Sequence, residues 1–256
     1  MVPDPAAPLG VQLAEARYVR IRQRPRRRDG DYIGLCDVQQ VIWAAAADFR
    51  GDVYDYGCGG APYADLFRHC RSYVKADVVP GPAVDRLLGP DGLTGEAEEM
   101  FDGVFSAQVL EHVPEPLAYL RECLRILRPG GDLLLTTHGF YPEHGCPHDY
   151  HRWTAEGIVR AVRSAGFEVV KAGRLSTGVR GAVQLMHHCV WGLRPPPGSV
   201  WGLALGCFRK AYGWLAVPLL NGLADGFQSQ AESPASGEGE SAVYIGLYVR
   251  ARKPAR

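Results

Sequence analysis

The sequence lacks net charge, because Lys plus Arg and Asp plus Glu stand at 28 each in 256 residues. No global field therefore draws in nucleic acid or a strongly charged surface, and small or neutral substrates fit better. It also lacks an unbroken apolar run of about 18 to 20 residues, the length a membrane-spanning helix needs. The most apolar stretch, Val200 to Phe227, is interrupted by Arg209, Lys210 and Pro218. Seven cysteines, an odd number without paired spacing, suggest reduced thiols in place of a disulfide framework. Met1-Val2-Pro3-Asp4-Pro5-Ala6 has no basic region followed by an apolar core, so no secretion signal is expected and a cytoplasmic location is the default. There is no internal repeat. A chain of this length buries roughly 70–75% of its unfolded surface and needs neither disulfide nor metal to fold.

What is present is organised around one stretch. Val53-Tyr54-Asp55-Tyr56-Gly57-Cys58-Gly59-Gly60-Ala61-Pro62 reads as a short apolar strand that stops in glycines and restarts as a helix over Tyr63 to Cys70. Gly57 and Gly59 can take positive φ and leave bare backbone for a ligand. Pro62 suits a first helical position, where its missing N–H costs nothing. The alternative is an ordinary strand-to-helix turn, since short glycine motifs match by accident. A dinucleotide site wants a third glycine three residues after the second, for close helix packing beside a pyrophosphate, and here that position is Pro62. The next strand, Ser72-Tyr73-Val74-Lys75-Ala76-Asp77, ends in a carboxylate that can accept hydrogen bonds from two ribose hydroxyls. A nucleoside without a pyrophosphate is the ligand left.

Together with Phe101-Asp102-Gly103-Val104-Phe105-Ser106-Ala107-Gln108-Val109-Leu110-Glu111-His112-Val113 and Leu127-Arg128-Pro129-Gly130-Gly131, these segments resemble the ordered motifs of class I S-adenosylmethionine-dependent methyltransferases, of the methyltransferase type 11-like subgroup. One departure is Ala61, where the family has the third glycine of its loop. The resemblance implies an α/β, Rossmann-like three-layer sandwich with a seven-stranded, mostly parallel sheet. Its antiparallel last strand, Ala242 to Ala251, inserts between the fifth and sixth. It also implies S-adenosylmethionine as cofactor, with Asp55, Gly57, Cys58 and Gly59 in the loop and Asp77 on the ribose. Asp91 and Gly92 fall near the adenine, unless they form a plain turn, and Ser106 and Gln108 line the cofactor.

The remaining elements follow from capping and periodicity. Asp37 is a plausible N-cap for a helix Val38 to Phe49, and the arginine run from Arg17 to Arg28 before it reads as a solvated arm or as a contact for an anionic substrate or lipid. Ala83 to Leu87, Gly103 to Ser106, Asp132 to His138 and Phe167 to Ala172 read as the third to sixth strands, and Gly95 to Met100 as helical. Glu111 and His112 are expected to enter a helix carrying Leu117, Leu120, Leu124 and Leu127, stopped by Pro129-Gly130, and Thr154 to cap Ala155 to Ala165. The chain divides into an arm and helix (1–50), a cofactor-binding core (51–174), an insertion (175–241) and a last strand and tail (242–256). The insertion is read as a pocket lid or homodimer surface, with peripheral membrane contact through 200–227 as the alternative.

The loop Gly139 to Arg152 holds His144, Cys146, His148 and His151, but no C-x-x-C or H-x-x-x-H pair, so no metal is expected. It reads as a substrate-facing lid, and its close, Asp149-Tyr150-His151-Arg152-Trp153-Thr154, resembles a segment of one methyltransferase subgroup. Tyr150 and Arg152 are the candidate substrate-binding residues, the guanidinium offering a two-point grip. His138, His148 and His151 are the candidate bases, because histidine titrates in the useful range; shaping the loop is the alternative for each. Methylation of a small-molecule, sugar or lipid-linked acceptor is the expected function. A non-catalytic S-adenosylmethionine-binding scaffold, or a NAD-dependent oxidoreductase, are the competing readings.

Overall fold

Side chains alternating with a period of two make this sheet. In β1 (Asp52–Tyr56), Val53 packs on one face and Tyr54 on the other. β4 (Phe101–Ala107) alternates Val104 with Phe105, and β5 (Leu127–His138) sets Leu133 and Leu135 against Leu134. β8 (Tyr244–Arg252) does the same with Leu247, Tyr248 and Val249. Strands buried on both faces are what a parallel sheet needs when helices cover both sides. The computed structural model describes residues 9–89, 91–145, 148–195, 198, 199, 201–227, 230–232 and 243–255. The N-terminal segment Met1 to Ala6, Cys146, and nearly all of the stretch 228–242 lie outside the described residues.

With β2 (Ser72–Asp77), β3 (Arg86–Leu87), β6 (Glu168–Thr177) and β7 (Gln230–Glu232), the strand order is β3-β2-β1-β4-β5-β8-β6-β7. The first five strands pair in parallel, and β8 lies antiparallel between β5 and β6. This is the expected seven-stranded sheet with its inserted antiparallel strand. The short β7 adds an eighth at the edge, antiparallel to β6. α3 (Pro116–Ile126) and α4 (Ala155–Ser164) cover one face, and α2 (Tyr32–Ala46) and α5 (Gly178–Gly192) the other. Thr154 caps α4 as expected, its Oγ1 accepting from the Gly157 N–H at 3.0 Å. Ile158 and Val162 on its inner face are fully buried, each contributing about 1.5–3 kcal/mol of apolar transfer.

Five local expectations are corrected. Asp37 caps nothing: α2 starts at Tyr32, and the Asp37 side chain is buried inside it against Arg180. The helix expected over Tyr63 to Cys70 is a single 3₁₀ turn, Ala64–Phe67, with Pro62 in the turn before it. Gly95 to Met100 is irregular, tied instead by Arg125, which donates to the Glu96 carbonyl at 2.7 Å. Glu111 and His112 stand in a separate 3₁₀ turn, Leu110–His112, because α3 begins only at Pro116. Pro129-Gly130 does not stop that helix, which ends at Ile126; it lies within β5, where Gly130 (φ +79°) donates to the Lys253 carbonyl at 2.9 Å.

Between β6 and β7 the described residues of the insertion are mainly helical, running through α5, α6 (Trp201–Ala211), a π turn (Tyr212–Ala216) and α7 (Val217–Ala224). A buried polar network fastens it to α2 and the segment before α2. Arg180 clasps Asp37 at 2.5 and 3.1 Å and donates to the Ala224 carbonyl at 2.9 Å. His187 sits between the Tyr212 hydroxyl (2.7 Å) and Asn221 (3.1 Å), and Asn221 donates to the Arg27 carbonyl at 2.7 Å. The outer side leaves Trp201, Leu203, Trp214 and Leu215 about 70–80% exposed, a large apolar surface. No described helix is long and apolar enough to cross a membrane.

The arginine run is not a free arm. Its first members lie on α1 (Leu9–Gln23), where the Arg22 guanidinium stacks 3.6 Å over the Tyr18 ring. Arg20 pairs with Asp29 at 3.4 Å and Arg27 with Asp225 at 2.8 Å. Every described cysteine is a free thiol.

Candidate active site

The glycine loop takes its shape from backbone conformations that L side chains resist. Gly57 and Gly59 have φ of +88° and +50°. A Cβ on Gly57 would lie 2.4 Å from Val109, because the loop is pressed onto the turn that follows β4. Ala61, the departure noted in the sequence, also sits at positive φ (+48°), at a cost of about 1–2 kcal/mol. Its methyl is buried beside Cys58 and Ala83, and its N–H donates to the Cys58 carbonyl at 2.7 Å.

The end of β2 holds the loop in place. The Ala76 carbonyl accepts from the Gly57 and Cys58 N–H groups at 2.8 and 2.9 Å. Asp77 accepts from the Gly59 N–H through one oxygen (2.8 Å) and from the Val79 N–H through the other (2.9 Å). Each oxygen keeps a lone pair, and the residue is only half-buried. Gln108, at φ +57°, donates to Thr136 at 3.1 Å, while its Oε1 is buried without a hydrogen-bond partner. An acidic strand end, a bare glycine backbone and an orphaned acceptor fit a nucleoside with no pyrophosphate. Tyr18 and Val19 of α1 lie over Gly59 and Gly60 as a roof, Val19 approaching to 2.8 Å of a Cβ built at Gly60.

Other residues expected to bind cofactor stand behind this surface. Asp55 is buried and accepts from the Tyr73 hydroxyl at 2.7 Å; desolvation pushes its carboxyl up to about 7, so it supports the loop from beneath. Burial likewise drives the Cys58 thiol far above its ordinary range, making it a packing residue. The Ser106 hydroxyl is engaged by Tyr119 of α3 at 2.8 Å. The Tyr56 hydroxyl donates to the Gly92 carbonyl, and Asp91 caps its own turn through the Leu93 N–H at 3.2 Å, tying this segment to the end of β1.

Two residues past Val109, the same turn carries Glu111 into a histidine cluster. Glu111 is fully buried, accepts from the Thr137 hydroxyl at 2.8 Å, and its Oε1 stands 3.2 Å from His138 Nε2. His138 ends β5 and stacks on Tyr141 with ring centroids 4.0 Å apart. Burial holds its pKa well below 6.5, so the ring is neutral at physiological pH. His144 lies edge-on to it, at 4.9 Å. The loop closes back on this turn, since the Glu111 carbonyl accepts from the Tyr150 and His151 N–H groups at 2.8 and 3.1 Å.

The three candidate histidines thus separate. His138 is in the cluster, and His151 packs against Trp153 with its Nε2 buried and unpartnered. His148 is exposed and contributes its carbonyl to His112 at 2.6 Å. Tyr150 is half exposed. Arg152 spends its donors inside the loop: two on Asp149 at 2.6 Å each, and others on the carbonyls of Tyr141 and Pro142 at 2.7 Å. Its geometry is that of a loop clasp. Glu111, Tyr141, His144 and Asp149 were not picked as site residues from the sequence, and for Glu111 the available signal was its place just past a strand end.

A mostly parallel sheet with one inserted antiparallel strand, and a glycine loop facing an acidic strand end, define the class I methyltransferase fold. Residues 54–135 match the methyltransferase domain family, and this is the stretch that carries the glycine loop, Asp77 and Gln108. The ubiquinone biosynthesis O-methyltransferase of Xanthomonas oryzae pv. oryzae (strain PXO99A) is 35% identical over 110 residues, which are 37% of this chain and 46% of that one. The chain therefore spans about half the length of the curated relatives it matches. Among solved structures, the [4+2]-cyclase SpnF is similar in fold, with TM-score 0.54, 18% identity and 100% of both chains covered. A methyltransferase-described protein from Bacillus halodurans C-125 gives TM-score 0.51 and 17% identity, covering 86% of this chain and 100% of that one.

Proposed function

We propose that the protein transfers a methyl group from S-adenosylmethionine to a hydroxyl of a small-molecule, sugar or lipid-linked acceptor. The observation that carries this reading is the Gly57–Gly59 backbone held by Asp77, with the orphaned Gln108 acceptor beside it. The backbone of this loop, Asp77, Gln108 and the Asp91-Gly92 turn hold the cofactor. When bound, it supplies a methyl carbon made electrophilic by a sulfonium. The protein's remaining work is to orient the acceptor and exclude water.

The loop Gly139 to Arg152 does this, clasped by Arg152 and placed at the carboxyl ends of the strands. His138 is the best placed of the candidate bases, because its ring stays neutral and Glu111 sits at Nε2 to orient it. Tyr150 and His148 line the rim, and His151 shapes the wall. Oxygen as the accepting atom is supported by the O-methyltransferase description of the similar Xanthomonas protein. The apolar surface of α6 and α7 serves peripheral contact at the inner face of a membrane, or a homodimer, from a cytoplasmic location.

The test is transfer of labelled methyl to a panel of hydroxylated aromatics, sugars and their lipid-linked forms. Transfer to at least one hydroxyl compound is expected. Cofactor binding with no transfer to any acceptor would favour the non-catalytic scaffold.

A further inference from the structure

The cluster at the end of β5 has the composition of a metal site. Glu111, His138 and His144 each present a ligand atom, and these atoms lie within 4.8 Å of one another. We propose that these three residues bind one divalent transition-metal ion of the zinc class. Two features of the geometry go beyond proximity. First, Glu111 Oε1 has no hydrogen-bond partner although the residue is completely buried. An uncompensated buried carboxylate oxygen is costly, and a cation is the ligand that best compensates it. It stands 3.2 Å from His138 Nε2, close to the separation of two ligands on one tetrahedral ion with bonds of about 2.0–2.2 Å.

Second, outer partners are in place for two of the three ligands, His144 and Glu111, while His138 Nδ1 is buried without one. His144 Nδ1 faces the Pro142 carbonyl at 3.2 Å and Asp149 at 3.4 Å, which orients the ring and leaves Nε2 as the ligating atom. The other Glu111 oxygen is held by Thr137 at 2.8 Å. Carbonyl and carboxylate partners behind a ligating imidazole are the usual supporting arrangement. Arg152 is the nearby cation, and its guanidinium is engaged by Asp149 at 2.6 Å, so it makes no bond to Glu111. Two imidazoles and one carboxylate suit zinc, cobalt, iron or manganese better than magnesium or calcium, and they leave coordination positions open. Binding of the ion is independent of methyl transfer. Its use there, as the holder of an acceptor oxygen beside the glycine loop, rests on the reading above and makes His138 a ligand in place of a base.

The experiment uses tag-free full-length protein, stripped with a chelator and titrated with Co²⁺ followed by visible absorption. Zn²⁺ competition and elemental analysis after dialysis complete it. About one equivalent of bound metal is expected, with ligand-field bands of nitrogen and oxygen ligation. His144→Ala, a half-buried loop residue, and Glu111→Gln, which keeps the Thr137 hydrogen bond, should each weaken binding more than roughly tenfold. His69→Ala, whose ring instead meets the Phe49 carbonyl, should leave binding unchanged. Melting curves on each variant confirm folding. Absence of saturable uptake by the wild type, or equal affinity in folded His144→Ala and wild type, overturns the site. A failed S-adenosylmethionine titration on metal-binding protein overturns only the methyl-transfer reading.

Discussion

Replacing Arg152 by Lys keeps the charge of the loop Gly139 to Arg152 and removes its fork. The wild-type guanidinium makes two bonds to Asp149 at 2.6 Å and two to the Tyr141 and Pro142 carbonyls at 2.7 Å. An ammonium can replace at most part of this set. Charge-assisted bonds contribute about 1.5–3 kcal/mol each where buried. With the Arg152 side chain 27% exposed, a net loss of about 2–3 kcal/mol is expected for the set. For a chain of this size that corresponds to a melting temperature lower by about 5–10 °C. The pH dependence has a definite sign. Arg152 holds the Asp149 carboxyl well below its ordinary value, so the contribution is fully present above the unfolded pKa of about 4 and is lost as pH falls toward the lower folded value. The gap between wild type and Arg152→Lys should therefore be constant from pH 5 to 8 and close in acid. Melting curves by circular dichroism across that range test it. An unchanged melting temperature together with a raised acceptor KM would refute the clasp and restore Arg152 as a substrate-gripping residue.

Asp55, pushed up to about 7 by burial, makes the folded state bind a proton more tightly than the unfolded state. Its contribution is complete below about pH 4 and is lost as pH rises toward 7, on the order of 4 kcal/mol over that span. Asp55→Asn should flatten the wild-type stability profile between pH 4 and 7 in urea titrations, and an identical slope in both proteins would contradict this. Arg180→Met strands Asp37 in the core and should cost about 3–5 kcal/mol, while Asp37→Leu with Arg180→Met should recover much of it; additive losses in denaturant titrations would show that the two do not act as a pair. For the outer surface of α6 and α7, anionic liposomes should sediment the intact protein and not a variant with Trp201, Phe208 and Trp214 changed to Ser. Equal recovery of both in the supernatant, with a concentration-dependent dimer in the centrifuge, would assign the surface to a second copy.

The sheet was legible because its signals are local. Period-two alternation, the glycine stop after Tyr56 and the acid at Asp77 each lie within one strand or turn, and strand order followed from the family motifs. What failed were boundaries decided by distant partners. Asp37 has the composition of a cap, yet α2 continues through it because Arg180 and Ser176, about 140 residues later, satisfy it in the core. The arginines from Arg20 to Arg27 looked like a solvated run because Asp225 and Asp29 are not visible as their partners in a linear reading. In the site, the glycine loop was readable as a unit. The cluster was not, because Glu111 and His144 lie 33 positions apart and meet only through the pairing of β4 with β5. Arg152 was recognised as a fork, but its target, Asp149, lies in the same loop.

The most direct test of the central claim is calorimetric titration of S-adenosylmethionine, S-adenosylhomocysteine and NAD into the wild type and Asp77→Ala. Both adenosyl compounds should bind the wild type and NAD should not. Removing the Asp77 carboxylate forfeits charge-assisted hydrogen bonds of about 1.5–3 kcal/mol, a roughly ten- to hundredfold loss of affinity. No heat with either adenosyl compound, or equal affinity in wild type and folded Asp77→Ala, would contradict the account.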